Sequence, residues 1–452
     1  MTDWYTRMVS GLAFPLHERL KGHDTVALRR SLEDSQWWSP AQLQDLQIRR
    51  LQDFLAHCQR HVPYYRRILA ELDPASVTGV ADLGRLPLLD KPLIRENIEA
   101  LKADNAGTLS RFNTGGSSGQ PLIFFLSRDR ISHDVAAKWR ATRWWDVDIG
   151  DPEIVLWGSP IELGSQDRLR VWRDRLLRTR LLPAFEMSAE RLDEFLAVIR
   201  QTRPRMLFGY PSAFSHLARH ARERGLAMDD LGIRVAFVTS EKLYDEQRAS
   251  IESTFGCRVA NGYGGRDAGF IAHQCPAGGM HISAEDIIVE IVDPTGRPLA
   301  PGQAGEIVVT HMATGEFPFI RYRTGDIGVL GGGTCPCGRG LPLLAEIQGR
   351  STDFVVAADG TVMHGLALIY VLRDLPGIDG FKIIQERPDL TRVLIRPEAK
   401  PITELADRVV TGFRERLGET VTVQVEWVEE IPAEASGKFR YVVSHVTPGT
   451  PR

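Results

Sequence analysis

Apolar positions recur at helical spacing through the first hundred residues, as in Asp45-Leu-Gln-Ile-Arg-Arg-Leu-Gln-Asp-Phe-Leu55. Pro63 and the stretch Leu86-Pro-Leu-Leu-Asp-Lys-Pro92 punctuate these helices. The pattern then changes. Short apolar runs, Ile154-Val-Leu-Trp157, Met206-Leu-Phe208 and Val235-Ala-Phe-Val238, read as buried strands. Helical segments from Ala189 to Arg200 and from Ala213 to Arg224 lie between them. This alternation predicts an α/β layered domain. From Ile282 onward strands and turns dominate: Ile287–Val292, a turn at Asp293-Pro-Thr-Gly296, then Gly305–Thr310. The last hundred residues read as a small α+β unit, with strands near Val393–Ile395 and Val421–Glu426 and a helix from about Ile402 to Leu417. The expected organisation is a large multi-subdomain N-terminal domain over residues 1–350 and a small C-terminal domain over 351–452, with the boundary near Gly349-Arg350.

Composition narrows the function classes. The chain has 452 residues, 43% hydrophobic and 25% charged, enough for two or three cores without disulfide or metal support. A formal net charge of -3 gives no global basic field for nucleic acid or an anionic membrane. The basic run from Arg168 to Arg180, interleaved with Leu and Trp, reads as the solvated face of a helix. Five scattered cysteines and an N-terminus without an apolar signal region point to a reducing, cytoplasmic setting. No apolar run approaches the ~18 residues of a membrane span.

The segment Asn113-Thr-Gly-Gly-Ser-Ser-Gly-Gln-Pro121 concentrates small and hydroxyl residues. Glycines let a backbone approach an anion closely, and Thr114, Ser117 and Ser118 add hydroxyl donors. Gln120 and Pro121 follow Gly119, so this is no Walker A loop, which ends in Gly-Lys-Ser/Thr. Taken alone, a flexible surface turn reads equally well. A second constellation is Cys335-Pro-Cys337 with Cys275 and His281 on an earlier Gly-rich segment. Two short ligand pairs on separate loops suit a tetrahedral zinc site. His273 competes with His281, and unmetallated thiols in turns are the plain alternative.

Several motifs follow the glycine-rich loop in order: Tyr263-Gly-Gly-Arg-Asp267, Arg321-Tyr-Arg-Thr-Gly-Asp326, Gly349-Arg-Ser-Thr-Asp353 and Ser436-Gly-Lys-Phe-Arg440. Together they resemble the ANL superfamily of adenylate-forming enzymes. Gly279-Met-His-Ile-Ser-Ala-Glu-Asp286, Phe319–Asp326, Cys335-Pro-Cys-Gly-Arg339, Pro63-Tyr-Tyr65 and Leu86–Lys91 resemble its phenylacetate–CoA ligase-like branch.

The resemblance implies an AMP-forming ligase. ATP would activate a carboxylic acid, aromatic by family analogy, as acyl-AMP with release of pyrophosphate. Transfer to coenzyme A would follow. An amine acceptor or a carrier-protein thiol is the alternative, and a nucleotide-binding protein without catalysis is a third reading. By the same resemblance, Lys438 would bridge the carboxylate and the α-phosphate, and Arg350 would support the ribose or phosphates. Gly115, Gly116 and Gly119 would wrap the phosphates with Thr114, Ser117 and Ser118. Asp326 would accept from the ribose hydroxyls. Tyr263 would stack on adenine, flanked by Gly262 and Gly264, with Ser240 and Glu241 alongside. Asp267 stands where the family has a Mg²⁺-binding glutamate one methylene longer, which favours a water-bridged contact.

Asp353 would be the hinge about which the C-terminal domain turns between half-reactions. The acid pocket is expected from Trp157, Gly158, Tyr210, Pro211 and Ser212, with Trp144, Trp145 and Phe237 nearby. Some members of the branch carry structural zinc on the Cys/His set. The expected partners are the acid, ATP and an acceptor thiol or amine, with no nucleic acid and no membrane; a homodimer is left open.

Overall fold

The computed structural model describes residues 3–114, 122–157, 168–184, 187, 189–350, 354–359, 362–373, 375–398, 403–431 and 440–446. The chain divides into two compact units, Met1–Gln348 and Gly349–Arg452.

In the first unit, helices precede the sheets. Ser39 caps the helix Pro40–His61 by accepting from the Gln42 N–H, with Gln42 reaching back and Pro40 at the first helical position. The helix stops just short of Pro63, which cannot continue the hydrogen-bond ladder. Strands β1 (Ser110–Asn113) and β2 (Ile123–Leu126) form an antiparallel hairpin.

Seven strands build the main sheet: β3 (Glu153–Trp157), β4 (Thr179–Pro183), β5 (Met206–Gly209), β6 (Val235–Thr239), β7 (Arg258–Gly265), β8 (Gly269–Gln274) and β9 (Met280–Ile282). Their order is β4-β3-β5-β6-β7-β8-β9. The first five run parallel and β7-β8-β9 antiparallel. Helices Ala189–Thr202, Pro211–Glu223 and Asp245–Phe255 connect the parallel strands. The apolar runs of β5 and β6 are buried along their whole length, as sheet strands covered on both faces must be.

A second sheet orders β10 (Ile287–Val292), β11 (Ala304–His311), β12 (Phe319–Leu330) and β13 (Leu344–Arg350) in sequence. All six residues of β10 are buried, Glu290 among them. That carboxylate is matched by Arg321 of β12, whose Nε and Nη2 donate to it at 3.1 and 3.0 Å. Arg321 also donates to the carbonyls of Leu86 and Gly296, both at 2.7 Å, from a backbone at φ +50°. The first arginine of the Arg321–Asp326 motif is thus a buried strut. Leu86–Lys91 runs beside it: Leu89 donates to the Arg321 carbonyl and accepts from the Arg323 N–H.

The second unit holds the hairpin β14 (Phe354–Val356) and β15 (Val362–His364), and a sheet of β16 (Ile378–Arg387), β17 (Leu390–Pro397), β18 (Thr422–Trp427) and β19 (Val442–Ser444), ordered β18-β17-β16-β19. Helices Leu366–Arg373 and Thr403–Leu417 complete it. The buried Gln385 side chain joins three strands, exchanging hydrogen bonds with the Val356 backbone and accepting from Ser444 Oγ. The expected α/β body and small α+β unit are both present. One local expectation changes: the basic run is a helix only over Arg168–Leu176, Arg178 turns the chain at φ +55°, and Arg180 belongs to β4.

Candidate functional site

The parallel sheet has a topological switch point. From β3 the chain crosses to β4 on one side, then returns to place β5 on the other side. The connections diverge there and leave a crevice at the carboxyl ends of the strands, where open α/β sheets bind ligands. The residues at those ends are Trp157, Gly209-Tyr210, Thr239-Ser240-Glu241 and Gly262-Tyr263-Gly264.

The Trp157 and Tyr210 rings stack at 4.4 Å and 21°. Phe208 continues the row at 5.9 Å from Trp157, and Phe237 lies 6.1 Å further on. Gly209 permits this packing, since a Cβ there would lie 2.2 Å from the Leu156 carbonyl oxygen and 3.1 Å from the Phe214 ring. Pro211 opens the helix that follows. The Ser212 N–H donates to Glu241 Oε2 at 3.2 Å, which joins the end of β5 to the end of β6. Ser240 sits between them in the left-handed region at φ +71°. A non-glycine residue there is uncommon and is held in place by its surroundings.

Tyr263 brings β7 to the second sheet. Its hydroxyl donates to Asp326 Oδ2 at 2.9 Å and lies 3.3 Å from Thr324 Oγ1. Thr324 in turn donates to the Ile307 carbonyl and accepts from the Asp326 N–H. Burial, reinforced by the Asp326 carboxylate, drives the Tyr263 phenol far above its ordinary pKa, so it remains a donor.

Asp267 is clamped similarly. Tyr322 Oη donates to its Oδ2 at 2.6 Å, and the Ala268 N–H to its Oδ1 at 3.1 Å. The residue is half-buried. A carboxylate at a partly exposed position fits Mg²⁺, which seeks oxygen ligands and retains waters readily. Arg266 Nη1 donates to the Asn113 carbonyl at 3.4 Å. The Thr114 N–H donates to the Leu122 carbonyl at 3.0 Å, and the Leu122 N–H to Thr114 Oγ1 at 2.9 Å. These bonds pin the neck of the glycine-rich loop beside the Tyr263–Asp267 motif. Gly115, Gly116, Ser117, Ser118, Gly119, Gly158, Asp353 and Lys438 lie outside the described residues. Arg350 ends β13.

A polar layer that no sequence motif marks lies against the Arg266–Asp267 turn. The helix Arg128–Arg143 turns Arg130, His133, Asp134 and Arg140 inward, all but Asp134 nearly fully buried. Arg130 Nε donates to both Asp134 oxygens at 3.1 Å, while Nη1 and Nη2 reach the Asp267 and Arg266 carbonyls at 3.4 and 3.3 Å. His133 Nε2 is 3.3 Å from Asp286 Oδ2 and His133 Nδ1 is 4.0 Å from Asp134 Oδ1. Neither nitrogen has hydrogen-bond geometry, so the attraction is Coulombic. Burial lowers the His133 pKa, but the two carboxylates outweigh it and raise it to about 9. Arg140 pairs with Glu285 at 2.6 Å in the same layer. Four polar residues in a helix of low apolar content look like a solvent face by pattern alone, and of their partners only Asp134 is local in sequence.

Away from the crevice, Cys275, His281, Cys335 and Cys337 converge, with ligand atoms all within 4.8 Å. Cys275 and Cys335 sulfurs are 3.6 Å apart, and Cys337 Sγ is 3.2 Å from His281 Nε2. Ligands around a tetrahedral zinc are separated by about 3.5–3.8 Å, given bonds of 2.0–2.3 Å. His281 Nδ1 faces the Leu341 carbonyl at 3.3 Å, an arrangement that leaves Nε2 free to ligate. Gly279 makes room, since a Cβ there would meet Cys335 Sγ at 2.6 Å. The donor set and spacing fit Zn²⁺. One expectation is corrected. His273 is no competing ligand: its ring lies between Phe237 and Phe270, at 5.9 and 5.4 Å. Trp144 packs against the His281 ring at 5.6 Å and Trp145 donates to the Gln274 carbonyl, and both belong to the apolar cluster that holds Phe208 and Phe237.

Comparisons with known proteins agree with this geometry. The family model described as AMP-binding enzyme matches residues 179–315, and the model described as CapK C-terminal domain matches residues 355–445. Phenylacetate-coenzyme A ligase of Thermus thermophilus is 27% identical over 438 residues, covering 89% of this chain and 96% of that protein. The Pseudomonas putida protein of the same name is 28% identical over 343 residues, covering 74% and 76%. Protein CapK of Staphylococcus aureus is 21% identical over 415 residues, covering 89% of each. Among solved structures, 2-hydroxyisobutyryl-CoA ligase in the postadenylation state superposes with a TM-score of 0.71 at 23% identity over 91% of both chains.

The chain belongs to the AMP-binding (ANL) superfamily of adenylate-forming enzymes and carries a CapK C-terminal domain. Within it, relatives that span most of the chain include phenylacetate-coenzyme A ligase of Thermus thermophilus and CapK, at 27% and 21% identity.

Proposed function

We propose that this enzyme joins an aryl or arylalkyl carboxylic acid to coenzyme A through an acyl-AMP intermediate. A carboxylate oxygen attacks the α-phosphorus of ATP, and the bond to the pyrophosphate oxygen breaks. The thiol sulfur then attacks the acyl carbon, its proton is lost and AMP leaves. Both reactants of the first step are anions, so the protein must neutralise charge and hold them in line. Asp326 and Tyr263 take the nucleoside, and Thr114, Ser117 and Ser118 with the loop glycines take the phosphates. Ser240 and Glu241 border the adenine. Lys438 and Arg350 carry the positive charge, and Asp353 is the hinge for the second step. Bound Mg²⁺ would neutralise phosphate charge, held by Asp267 through water. Zn²⁺ on the four Cys/His ligands would be structural.

The observation that carries this reading is one continuous edge. The stacked Trp157 and Tyr210 stand at the switch point, and the Tyr263–Asp326 pair and the neck of the glycine-rich loop border the same strand ends. Flat aromatic walls favour a flat acid, and the names of the phenylacetate-coenzyme A ligases support that class.

The test is a panel of acids scored by pyrophosphate release, followed by product masses with coenzyme A or amines as acceptor. Arylacetic and aryl acids should lead, and the product should be a thioester. Lys438→Ala should abolish adenylation yet largely spare thioester formation from supplied acyl-AMP. Equal loss in both steps would contradict the role given to Lys438.

A further inference from the structure

The large exposed apolar side chains are not scattered. Among the described residues, six of the nine large hydrophobics that stand exposed lie on two neighbouring segments, Trp4, Leu12, Leu16 and Leu20 on one and Trp172 and Leu176 on the other. Trp4 is 76% exposed, Leu12 66%, Leu20 80% and Trp172 69%. The segments run side by side. Tyr5 Oη donates to the Leu176 carbonyl at 3.0 Å, the Arg178 guanidinium covers the Tyr5 ring at 3.9 Å, and Arg173 is close enough to disfavour protonation of His17.

The first segment is one helical rod interrupted by a π-turn at Val9–Ala13. A step of four residues overshoots an α-helical turn by roughly 40°. A π-turn, with its wider i→i+5 ring, undershoots. The inserted turn cancels part of the drift and keeps Trp4, Leu12, Leu16 and Leu20 along one face, roughly 24 Å long at 1.5 Å per residue. The opposite face carries Thr6, Val9, Phe14 and Glu18, all buried, with Phe14 packed edge-on against Trp139 at 5.2 Å. The exposed stripe is thus the outer side of a well-anchored helix.

Charge says what covers it. Residues 3–21 and 172–180 contain seven Lys and Arg against three Asp and Glu, a net +4 in a chain whose total is -3. Of the acids, Glu18 is buried, Asp3 is paired with Arg178, and Asp174 with Arg173. Arg7, Arg19, Lys21, Arg175 and Arg180 remain exposed around the apolar stripe. A two-fold contact between copies would set this basic rim against itself. An anionic lipid surface accepts both parts: Trp and Leu enter the acyl boundary, and Arg and Lys meet the headgroups.

We propose that this face, the rod Trp4–Leu20 with the helix Arg168–Leu176, docks the enzyme on membranes bearing anionic lipid. The full chain should co-sediment with vesicles of phosphatidylcholine and phosphatidylglycerol at 7:3 and release at high salt. Pure phosphatidylcholine vesicles should bind it about tenfold or more weakly. Leu16→Glu with Leu20→Glu, at exposed positions that no packing depends on, should cut vesicle binding about tenfold or more while leaving pyrophosphate release unchanged. Arg175→Glu with Arg19→Glu should do the same and flatten the salt response. Equal binding to neutral and anionic vesicles would overturn the proposal. So would unchanged binding by the Leu16/Leu20 variant, or a dimer in sedimentation equilibrium that this variant splits without any vesicle binding by the parent.

Discussion

Removing the Arg130 guanidinium tests the buried layer beneath the Tyr263–Asp267 loop most directly. Arg130→Met keeps the apolar stem and deletes four donor contacts: two to Asp134 at 3.1 Å and one each to the Asp267 and Arg266 carbonyls. Breaking a buried pair from one side costs about 3–5 kcal/mol, because the surviving charge stays buried. Asp134 retains His133 at 4.0 Å and is 19% exposed, so the loss should fall near the lower end, about 3 kcal/mol. Asp134→Leu should cost a similar amount. The double variant leaves neither charge stranded and should lose at least about 1.5 kcal/mol less than the two single losses combined. Urea unfolding of the large unit gives the stabilities. Acid-dependent exchange of pyrophosphate into ATP gives the functional arm. Arg130→Lys retains charge without the planar fork, so it should lower exchange by more than its stability loss explains. Strict additivity in the cycle, or a single variant within about 0.5 kcal/mol of the parent, would refute the reasoning.

The histidines of the same layer set a pH dependence. His133, raised to about 9, adds stability that is complete below the unfolded pKa near 6.5 and is lost as pH rises through 9. His273 and His311, each lowered to about 3 by burial, do the reverse and lose stability as pH falls from 6.5 toward 3. Thermal melts across pH 5–9 should therefore peak near pH 6.5–7, and His133→Gln should flatten the alkaline limb. Metal analysis of the purified chain should find about one zinc per molecule. Cys335→Ser should lose it and melt at lower temperature, with exchange activity intact at temperatures where the variant is folded. Gly209→Ala forces a Cβ to 2.2 Å from the Leu156 carbonyl oxygen. It should therefore destabilise the sheet at its switch point by about 3 kcal/mol or more, read by denaturant unfolding.

How far the sequence reaches can be followed residue by residue. Apolar runs located β3, β5, β6 and β10 to within a residue or so, because period and β-branching act locally. Ordered motifs singled out Tyr263 and Asp326, and two short Cys/His pairs singled out the zinc candidates, since such chemistry requires fixed residue types at set spacing. Which of these side chains meet was not in the pattern. The Tyr263–Asp326 and Tyr322–Asp267 hydrogen bonds span 63 and 55 residues and exist only because β7 is set beside β12. His273 and His281 were indistinguishable as ligands by spacing. The two are cross-strand partners in the β8–β9 register, and their neighbours alone distinguish them: two aromatic rings flank His273, while His281 meets Cys337. Nothing in the sequence marks His133 and Arg140 as buried, because a helix supplies periodicity but not its direction. The acids beside them, Asp286 and Glu285, arrive from more than 140 residues away, whereas Arg130 meets Asp134 on its own helix. The sequence by itself determined the elements, the family and the chemistry available. Tertiary structure decided which carboxylates are clamped, which charges are buried and which apolar face is left outside, because those depend on long-range packing that no local propensity encodes.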